Sequence, residues 1–353
     1  MPAGPATESF FERTRAAKKI IVIDFGFLGD SVHLVPALWE IKSNYPGAEV
    51  HTLSATVGAE MLALAPCVDR PWAIPLTTKS PPWWKHWDVL RALRRERFDV
   101  AFNFTGSDRS IFATAFIGAS RALALEPNRK HFWNRWVRAE WRARGTRDMP
   151  VYEQRRQLLA AGGLSLQAPR FNLRIPADAR QWAQTAVAAD SVHLSINASA
   201  PVKEWPLEHW IELAKRLLAA DPAIELIASA SAKPREQERL KMLGRAVDNP
   251  RLRCIEGPEI ARLAALLQRC RLQIGADSGV LHLAMALGVP TLTVFRQYNG
   301  LQEWMPMGKE HRHFVVVCRC ISEGRDDCRL ACRSACLAGI SPEQLAGQAL
   351  AIP

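Results

Sequence analysis

Short apolar runs alternate with helical patterns along most of the chain after Lys18. Five runs in the first half have the length and β-branched content of strands: KKIIVIDF, AEVHTLSA, RPWAIP, FDVAFNF and RALALE. A second series of the same kind begins at SVHLSINAS and ends at PTLTVF. Strands that alternate with helices of this length predict βαβ units, so we expect an α/β protein with two doubly wound parallel sheets.

A Pro-rich segment without clear periodicity, QAPRFNLRIPADA, separates the two series and is our candidate linker. A chain of 353 residues also suits two domains of ordinary size. We therefore predict a first domain over residues 1–172, with a basic, Trp-rich insertion at 127–148. The second domain would cover residues 173–353, including a Cys-rich segment at 318–336 and a C-terminal helix.

The turn after the first strand, FGFLGDS, places Asp30 where a strand leads into a helix. Ligands of open α/β sheets bind at this edge, beyond the carboxyl ends of the strands. Asp30 is therefore either a helix cap or a general base that faces a bound hydroxyl. Neither series contains G-x-G-x-x-G or G-x-x-x-x-G-K-[ST], which argues against a classical nicotinamide or P-loop site.

Two further turns suit a diphosphate. In IGADSGVLHLAMALG a helix begins directly after a strand, so the first-turn N–H groups at Ser278 and Gly279 are free for an anion. Asp277 could cap this helix or bind a ligand hydroxyl, and His282 follows one turn later; the alternative is two caps and a core histidine. Lys203, in NASAPVKEWP, falls at the equivalent edge and could neutralise phosphate charge.

The net charge of +11 attracts anionic partners, whether nucleic acid, lipid or substrate. Residues 121–156 hold ten Lys and Arg against four Asp and Glu, interleaved with Trp133, Trp136 and Trp141. This segment is either a solvated amphipathic helical insertion or a docking surface for a phosphorylated or lipid-linked partner. The chain shows no signal-peptide pattern and no apolar run that could span a membrane, so we expect a cytoplasmic protein.

A cluster of cysteines lies near the C-terminus: Cys318, Cys320, Cys328, Cys332 and Cys336. The last three recur every four residues, which would align them on one helical face. The spacing differs from the C-x₂-C pairs of a standard zinc site. The cluster either holds a structural zinc or iron, or remains as reduced thiols with an occasional disulfide.

Four ordered motifs resemble glycosyltransferase family 9, the ADP-heptose:lipopolysaccharide heptosyltransferases. They are IIVIDFGFLGDSVHLVPALWEIKSNYPGAEV, FDVAFNFTGSDRSIFATAFIGASRAL, NASAPVKEWPLEHW and IGADSGVLHLAMALGVPTLTVF, and the C-terminal ISPEQLAGQAL also fits. The resemblance implies a GT-B fold, in which two Rossmann-like domains face a cleft. It also implies inverting transfer of heptose or a related sugar from an ADP-sugar to a lipopolysaccharide core acceptor, without a catalytic metal.

The resemblance also implies residue roles. The family's base falls on Asp30, and its donor and phosphate-binding positions fall on Lys203, Asp277, Ser278, Gly279 and His282. Acceptor contacts would come from Gly29, Arg109 and Ser110, and Glu236 is a candidate for binding ribose. The run Asp24–Phe27 departs from the basic or polar run usual before L-G-D, so we expect acceptor contacts that differ from those of the family at this loop.

The implied partners are an ADP-sugar, an anionic lipid-linked glycan and the surface of the inner membrane, rather than nucleic acid. Some relatives that glycosylate autotransporter proteins carry a Cys-rich metal finger in this region, so a protein O-heptosyltransferase is one alternative. A non-catalytic nucleic-acid- or membrane-binding module, built on the basic Trp-rich insertion, is another. A catalytically silent sugar-nucleotide sensor is a third, although the intact Asp30 argues against it.

Overall fold

The computed structural model describes residues 8–76, 86–128, 134, 137–143, 148–318 and 336–352. The chain divides into two compact units, residues 1–174 and residues 175–353, which we call unit 1 and unit 2. Each unit contains one six-stranded parallel sheet with helices packed against it. The predicted α/β class with two Rossmann-like sheets is therefore confirmed.

Unit 1 has the strand order β3-β2-β1-β4-β5-β6. Its strands are β1 (Lys19–Ile23), β2 (Glu49–Ala55), β3 (Arg70–Ile74), β4 (Val100–Asn103), β5 (Arg121–Leu125) and β6 (Glu140–Arg142). Its helices are α1 (Phe10–Thr14), α2 (Leu28–Asn44), α3 (Thr56–Leu62), α4 (Trp87–Arg95), α5 (Asp108–Ile117) and α6 (Val151–Ala161). The strand β1 is central, and four of its five residues are apolar and fully buried, as expected for a parallel strand covered on both faces.

Unit 2 has the strand order β12-β11-β10-β7-β8-β9. Its strands are β7 (Ser191–Ser195), β8 (Leu226–Ala230), β9 (Leu252–Glu256), β10 (Cys270–Ala276), β11 (Thr291–Arg296) and β12 (His311–Val316). Its helices are α7 (Ala177–Ala186), α8 (Leu207–Ala220), α9 (Pro234–Val247), α10 (Ile260–Leu267), α11 (Gly279–Ala286) and α12 (Pro342–Leu350). When the strands are numbered within each unit, both sheets have the classic order 3-2-1-4-5-6.

Strand β7 shows how the sequence assigns the two faces of the unit 2 sheet. Val192 and Leu194 point into the main apolar core, where Trp205 and Trp210 are also fully buried. His193 and Ser195 alternate with them on the opposite face, where His193 bonds to the hydroxyl of Ser229 at 2.9 Å. Burial lowers the pKa of His193 to about 3, so this histidine is neutral at pH 7.

The basic, Trp-rich insertion differs from the helical alternative in the part that the structure describes. Glu140–Arg142 form strand β6, which pairs with β5 in parallel. Glu140 also forms an ion pair with Arg13 of α1. Trp133 and Trp136 lie outside the described residues, whereas Trp141 is part of β6.

The strand order places one switch point in each unit, between its first and fourth strands. In unit 1 this point lies between β1 and β4, and in unit 2 between β7 and β10. Chain connections leave the sheet in opposite directions there, which opens a crevice at the carboxyl ends of the strands. The turns with Asp30, Lys203 and Asp277 follow β1, β7 and β10, so all three fall at a switch point.

Candidate active site

Asp30 lies in the first turn of α2, which begins at Leu28. Its Oδ2 accepts a hydrogen bond from the backbone N–H of Phe27 at 2.9 Å, while its Oδ1 lies 3.4 Å from Nη2 of Arg155. The side chain keeps 25% of its surface exposed. Asp30 therefore caps its own helix with one oxygen and keeps part of its carboxylate exposed to solvent, so the capping role is seen and the role as a base remains a prediction.

The loop before Asp30 is closely fitted to it. A Cβ at Gly26 would lie 2.2 Å from Cβ of Asp30, so any side chain at position 26 would displace the carboxylate or the loop. The next residue, Phe27, is 71% exposed and adds an apolar surface next to the carboxylate. On the other side of the switch point, Oγ1 of Thr105 accepts from the N–H of Phe25 at 3.1 Å, which ties the turn after β4 to this loop.

A buried ion pair supports the same loop. Asp24, at the end of β1, is 2% exposed, and its Oδ2 lies 2.6 Å from Nη2 of Arg155 on α6. Burial and the neighbouring Asp24 raise the pKa of Asp30, although Arg155 opposes them. Sequence reasoning missed the contact of Arg155 with Asp30 because the two residues are 125 positions apart and Arg155 falls in a segment read as surface charge.

The acceptor-binding residues expected in unit 1 occupy different environments. Gly29 is buried within α2, and Arg109 is half-buried in the first turn of α5. Ser110 is fully buried, and its hydroxyl donates to the carbonyl of Ser107 at 2.9 Å. This hydroxyl stabilises the start of α5, whereas the side chain of Arg109 keeps part of its surface exposed.

In unit 2 the structure brings the predicted lysine and aspartate together. Lys203 ends a short 3₁₀ turn after β7, and its Nζ lies 2.7 Å from Oδ2 of Asp277, which follows β10. The hydroxyl of Tyr298 donates to the same oxygen at 3.1 Å, and Lys203 Nζ lies 5.2 Å from the ring centroid of Tyr298. Burial and Asp277 raise the pKa of Tyr298, so its hydroxyl remains a donor. Sequence reasoning missed Tyr298, whose loop carries no recognisable motif.

The start of α11 adjoins this cluster. Ser278 is the N-cap residue, but its side chain makes no capping hydrogen bond, and its Oγ lies 3.4 Å from Oγ of Ser195. The first-turn N–H groups from Gly279 onwards therefore lack a side-chain cap from this residue. Such a helix start attracts anions through its N–H groups and its dipole.

His282 lies one turn into α11 and is buried against Trp304, with ring centroids 5.5 Å apart. Burial lowers the pKa of His282 to about 4, and the nearby Lys203 adds to this effect while Asp277 opposes it. The imidazole is therefore neutral at pH 7. At that pH it supplies no positive charge to a ligand.

Glu236 occupies the first turn of α9 and is 7% exposed. Its Oε2 accepts from both the N–H and the hydroxyl of Ser231, and its Oε1 lies 3.2 Å from Nζ of Lys233. These contacts show a carboxylate that holds the turn between β8 and α9. A ribose at this position would have to compete with Ser231 and Lys233.

Only Cys318 and Cys336 of the Cys-rich cluster belong to the described residues; Cys320, Cys328 and Cys332 lie outside them. Cys318 is buried, with its Sγ 3.6 Å from Nη1 of Arg296. Burial and the proximity of Cys318 raise the pKa of Cys336. Across the described ranges, no three His, Cys, Asp or Glu side chains are grouped to hold a metal ion.

The described helices also bear on membrane association: none is both long and apolar enough to cross a bilayer. Two sheets of Rossmann order, one with a carboxylate at its switch point and the other with a lysine beside a helix start, are the arrangement expected of a GT-B glycosyltransferase. The model of glycosyltransferase family 9 (heptosyltransferase) matches residues 86–333. The chain belongs to this family and is an enzyme.

Relatives agree with this assignment. The chain is 27% identical over 301 residues to lipopolysaccharide heptosyltransferase 1 of Pseudomonas aeruginosa, covering 80% of this chain and 79% of that relative. The structure of E. coli ADP-heptose lps heptosyltransferase II matches with a TM-score of 0.75 at 18% identity, covering 95% of this chain and 98% of that one. The structure of E. coli heptosyltransferase WaaC with ADP matches with a TM-score of 0.71 at 18% identity, covering 95% of this chain and 100% of that one. These findings favour a lipopolysaccharide heptosyltransferase over the protein-acceptor and non-catalytic alternatives.

Proposed function

We propose that this enzyme transfers heptose, or a closely related sugar, from an ADP-sugar to the core of a lipopolysaccharide precursor with inversion at the anomeric carbon. The observation that carries this proposal is the arrangement in unit 2, where Lys203, Asp277 and the uncapped start of α11 converge at one switch point. The names of the relatives supply the sugar, the nucleotide and the acceptor class.

Unit 2 would bind the donor. The diphosphate of the ADP-sugar accepts hydrogen bonds from the N–H groups of the first turn of α11, beginning at Gly279. It also draws Lys203 Nζ away from Asp277. The Asp277 carboxylate can then accept a hydrogen bond from a hydroxyl of the ADP-sugar. Lysine and helix dipole together stabilise the negative charge that grows on the departing ADP. Neutral His282 helps to orient the donor. The reaction needs no cofactor in this scheme, and any metal at the Cys-rich cluster would be structural.

Unit 1 would bind the acceptor. Asp30 removes the proton from the acceptor hydroxyl, whose oxygen forms a bond to the anomeric carbon while the bond from that carbon to the ADP oxygen breaks. One displacement at one carbon inverts its configuration, so a single carboxylate base is sufficient. Gly29 and Arg109 would lie close to the bound acceptor.

The charge of unit 1 suits an anionic, lipid-linked acceptor at the inner membrane. On α4, the exposed Arg91 and Arg94 lie over half-buried aromatic rings, with Arg94 Cζ 5.6 Å from the ring centroid of Phe116 on α5. Guanidinium groups beside aromatic rings are typical of surfaces that contact anionic headgroups. We therefore propose a cytoplasmic enzyme that works at the membrane surface.

The proposal is tested by incubating the enzyme with ADP-heptose and a heptose-free, lipid-linked core acceptor, and following ADP release and product mass. We expect transfer by the wild type and loss of transfer in Asp30→Asn. Asp88→Asn, which removes an exposed carboxylate on α4 in the same unit, is the matched control and should retain full activity. Normal turnover by Asp30→Asn would remove Asp30 from the mechanism.

A further inference from the structure

The ion pair of Asp24 and Arg155 lies next to Asp30, the proposed base. Arg155 comes from the middle of α6, is 7% exposed, and reaches across to the end of β1 and the start of α2. One guanidinium contacts three groups there. Nη2 lies 2.6 Å from Oδ2 of Asp24 and 3.4 Å from Oδ1 of Asp30, and Nη1 donates to the backbone carbonyl of Asp30.

These contacts are unequal, and the inequality favours a working base. The short, buried contact goes to Asp24, whose other oxygen accepts from the N–H of Gly26 at 2.8 Å. The contact to Asp30 is a longer hydrogen bond, at 3.4 Å, to a carboxylate that remains 25% exposed, whereas the contact to Asp24 is a close ion pair without hydrogen-bond geometry. A carboxylate in a short ion pair with arginine would be a weak proton acceptor, because the positive charge stabilises its ionised form.

The neighbouring titratable groups on α2 and α6 have contacts of their own. His33, one turn further along α2, stacks on Tyr152 of α6 with ring centroids 5.9 Å apart. Arg156, next to Arg155, is directed to Glu40 of α2 at 3.0 Å and to Glu153. Asp24 and Arg155 are the charged side chains that shift the pKa of Asp30, Asp24 upward and Arg155 downward.

We propose that Asp24 is a positioning residue that binds the guanidinium of Arg155 and thereby keeps this cation from pairing closely with the Asp30 carboxylate. The proposal rests on the proposed role of Asp30 as the base. Arg155 still anchors the backbone of Asp30 through its carbonyl, so the pair fixes the position of the base while leaving its proton affinity high enough for catalysis.

The test is the pH profile of kcat/KM, whose acidic limb reports the ionisation of the base in the free enzyme. In Asp24→Asn, Arg155 loses its partner and moves toward Asp30, so the limb should move to lower pH by about one unit. In Arg155→Gln the positive charge is lost, so the limb should move in the opposite direction. A purely structural role would not produce two shifts of opposite sign.

Arg156→Gln is the matched control, since it breaks a neighbouring buried ion pair on the same helix without contacting Asp30. It should lower the melting temperature and leave the limb unchanged. Asp24→Glu keeps the carboxylate and should restore a limb close to that of the wild type. If Asp24→Asn does not fold, Asp24→Ser removes the same carboxylate and takes its place in the comparison with Arg155→Gln.

Shifts of the same sign, or no shift in either variant, would overturn the proposal for Asp24. That result is separate from a failure of the proposed function, because Asp30→Asn would still abolish turnover if Asp30 is the base. Normal turnover by Asp30→Asn would instead overturn both.

Discussion

The two units share one strand order but carry opposite chemistry at their switch points. In unit 1, the start of α2 is occupied by the Asp30 carboxylate, which accepts from the N–H of Phe27. In unit 2, Ser278 makes no such bond at the start of α11, and Lys203 adds a positive charge beside it. Topology thus determines where a ligand binds, and a few turn residues determine whether the site repels or attracts an anion.

Among the changes in unit 2, the loss of the Lys203 cation should have the largest effect. In Lys203→Ala only the start of α11 stabilises the negative charge on the departing ADP. We therefore expect kcat to fall by about 100-fold or more. Lys215→Ala, which removes an exposed lysine on α8, is the control and should have no effect. The transfer rates of both variants are measured at saturating ADP-sugar. Equal rates for the two variants would contradict the role of Lys203.

Acid should destabilise unit 2 through its buried histidines. Burial lowers the pKa of His193 to about 3 and that of His282 to about 4, whereas both would be near 6.5 in the unfolded chain. The unfolded state therefore binds more protons below pH 6.5, and stability should fall by about 1.4 kcal/mol per pH unit for each histidine as pH drops toward 4. Urea unfolding at several pH values measures this slope. His193→Gln should reduce the slope of the unfolding free energy by the contribution of one histidine. An unchanged slope would contradict the lowered pKa of His193.

A side chain at position 26 should disturb unit 1 selectively. In Gly26→Ala the new Cβ meets Cβ of Asp30 at 2.2 Å, so we expect a loss of about 1–3 kcal/mol in stability and a strong loss of turnover. The affinity for ADP should stay normal, because unit 2 is untouched. Gly47→Ala is the control, since a Cβ there meets no atom within 4 Å. Equal turnover of the two variants would show that the loop does not position Asp30.

The smallest effect should come from Tyr298. Tyr298→Phe removes a hydrogen bond to Asp277 and keeps the ring beside Lys203. The affinity for the ADP-sugar donor should therefore fall by about fivefold, equivalent to about 1 kcal/mol. Isothermal titration with ADP measures this change. A loss as large as that of Lys203→Ala would mean that the hydroxyl contacts the donor directly.

Much of this architecture could be predicted from the sequence because its signals are local. Apolar runs and helical periodicity gave the two sheets, and the turns with Asp30, Lys203 and Asp277 follow the strands as expected. The contact between Lys203 and Asp277 follows from the adjacency of β7 and β10. Their roles in catalysis remain predictions.

The remaining features depend on contacts between distant parts of the chain. Arg155 and Arg156 counted as surface charge in the sequence, yet both are buried in ion pairs with unit 1 carboxylates. The pattern of Glu140–Arg142 does not reveal strand β6, because this short strand depends on pairing with β5. Local composition cannot show which charges acquire buried partners, since the partner is chosen by packing.

The most direct measurement of the division between the units is the titration of ADP into Asp30→Asn and Lys203→Ala side by side. We predict wild-type ADP affinity for Asp30→Asn, despite its lost turnover, and clearly weaker ADP binding for Lys203→Ala. Weakened binding in Asp30→Asn together with wild-type binding in Lys203→Ala would contradict it.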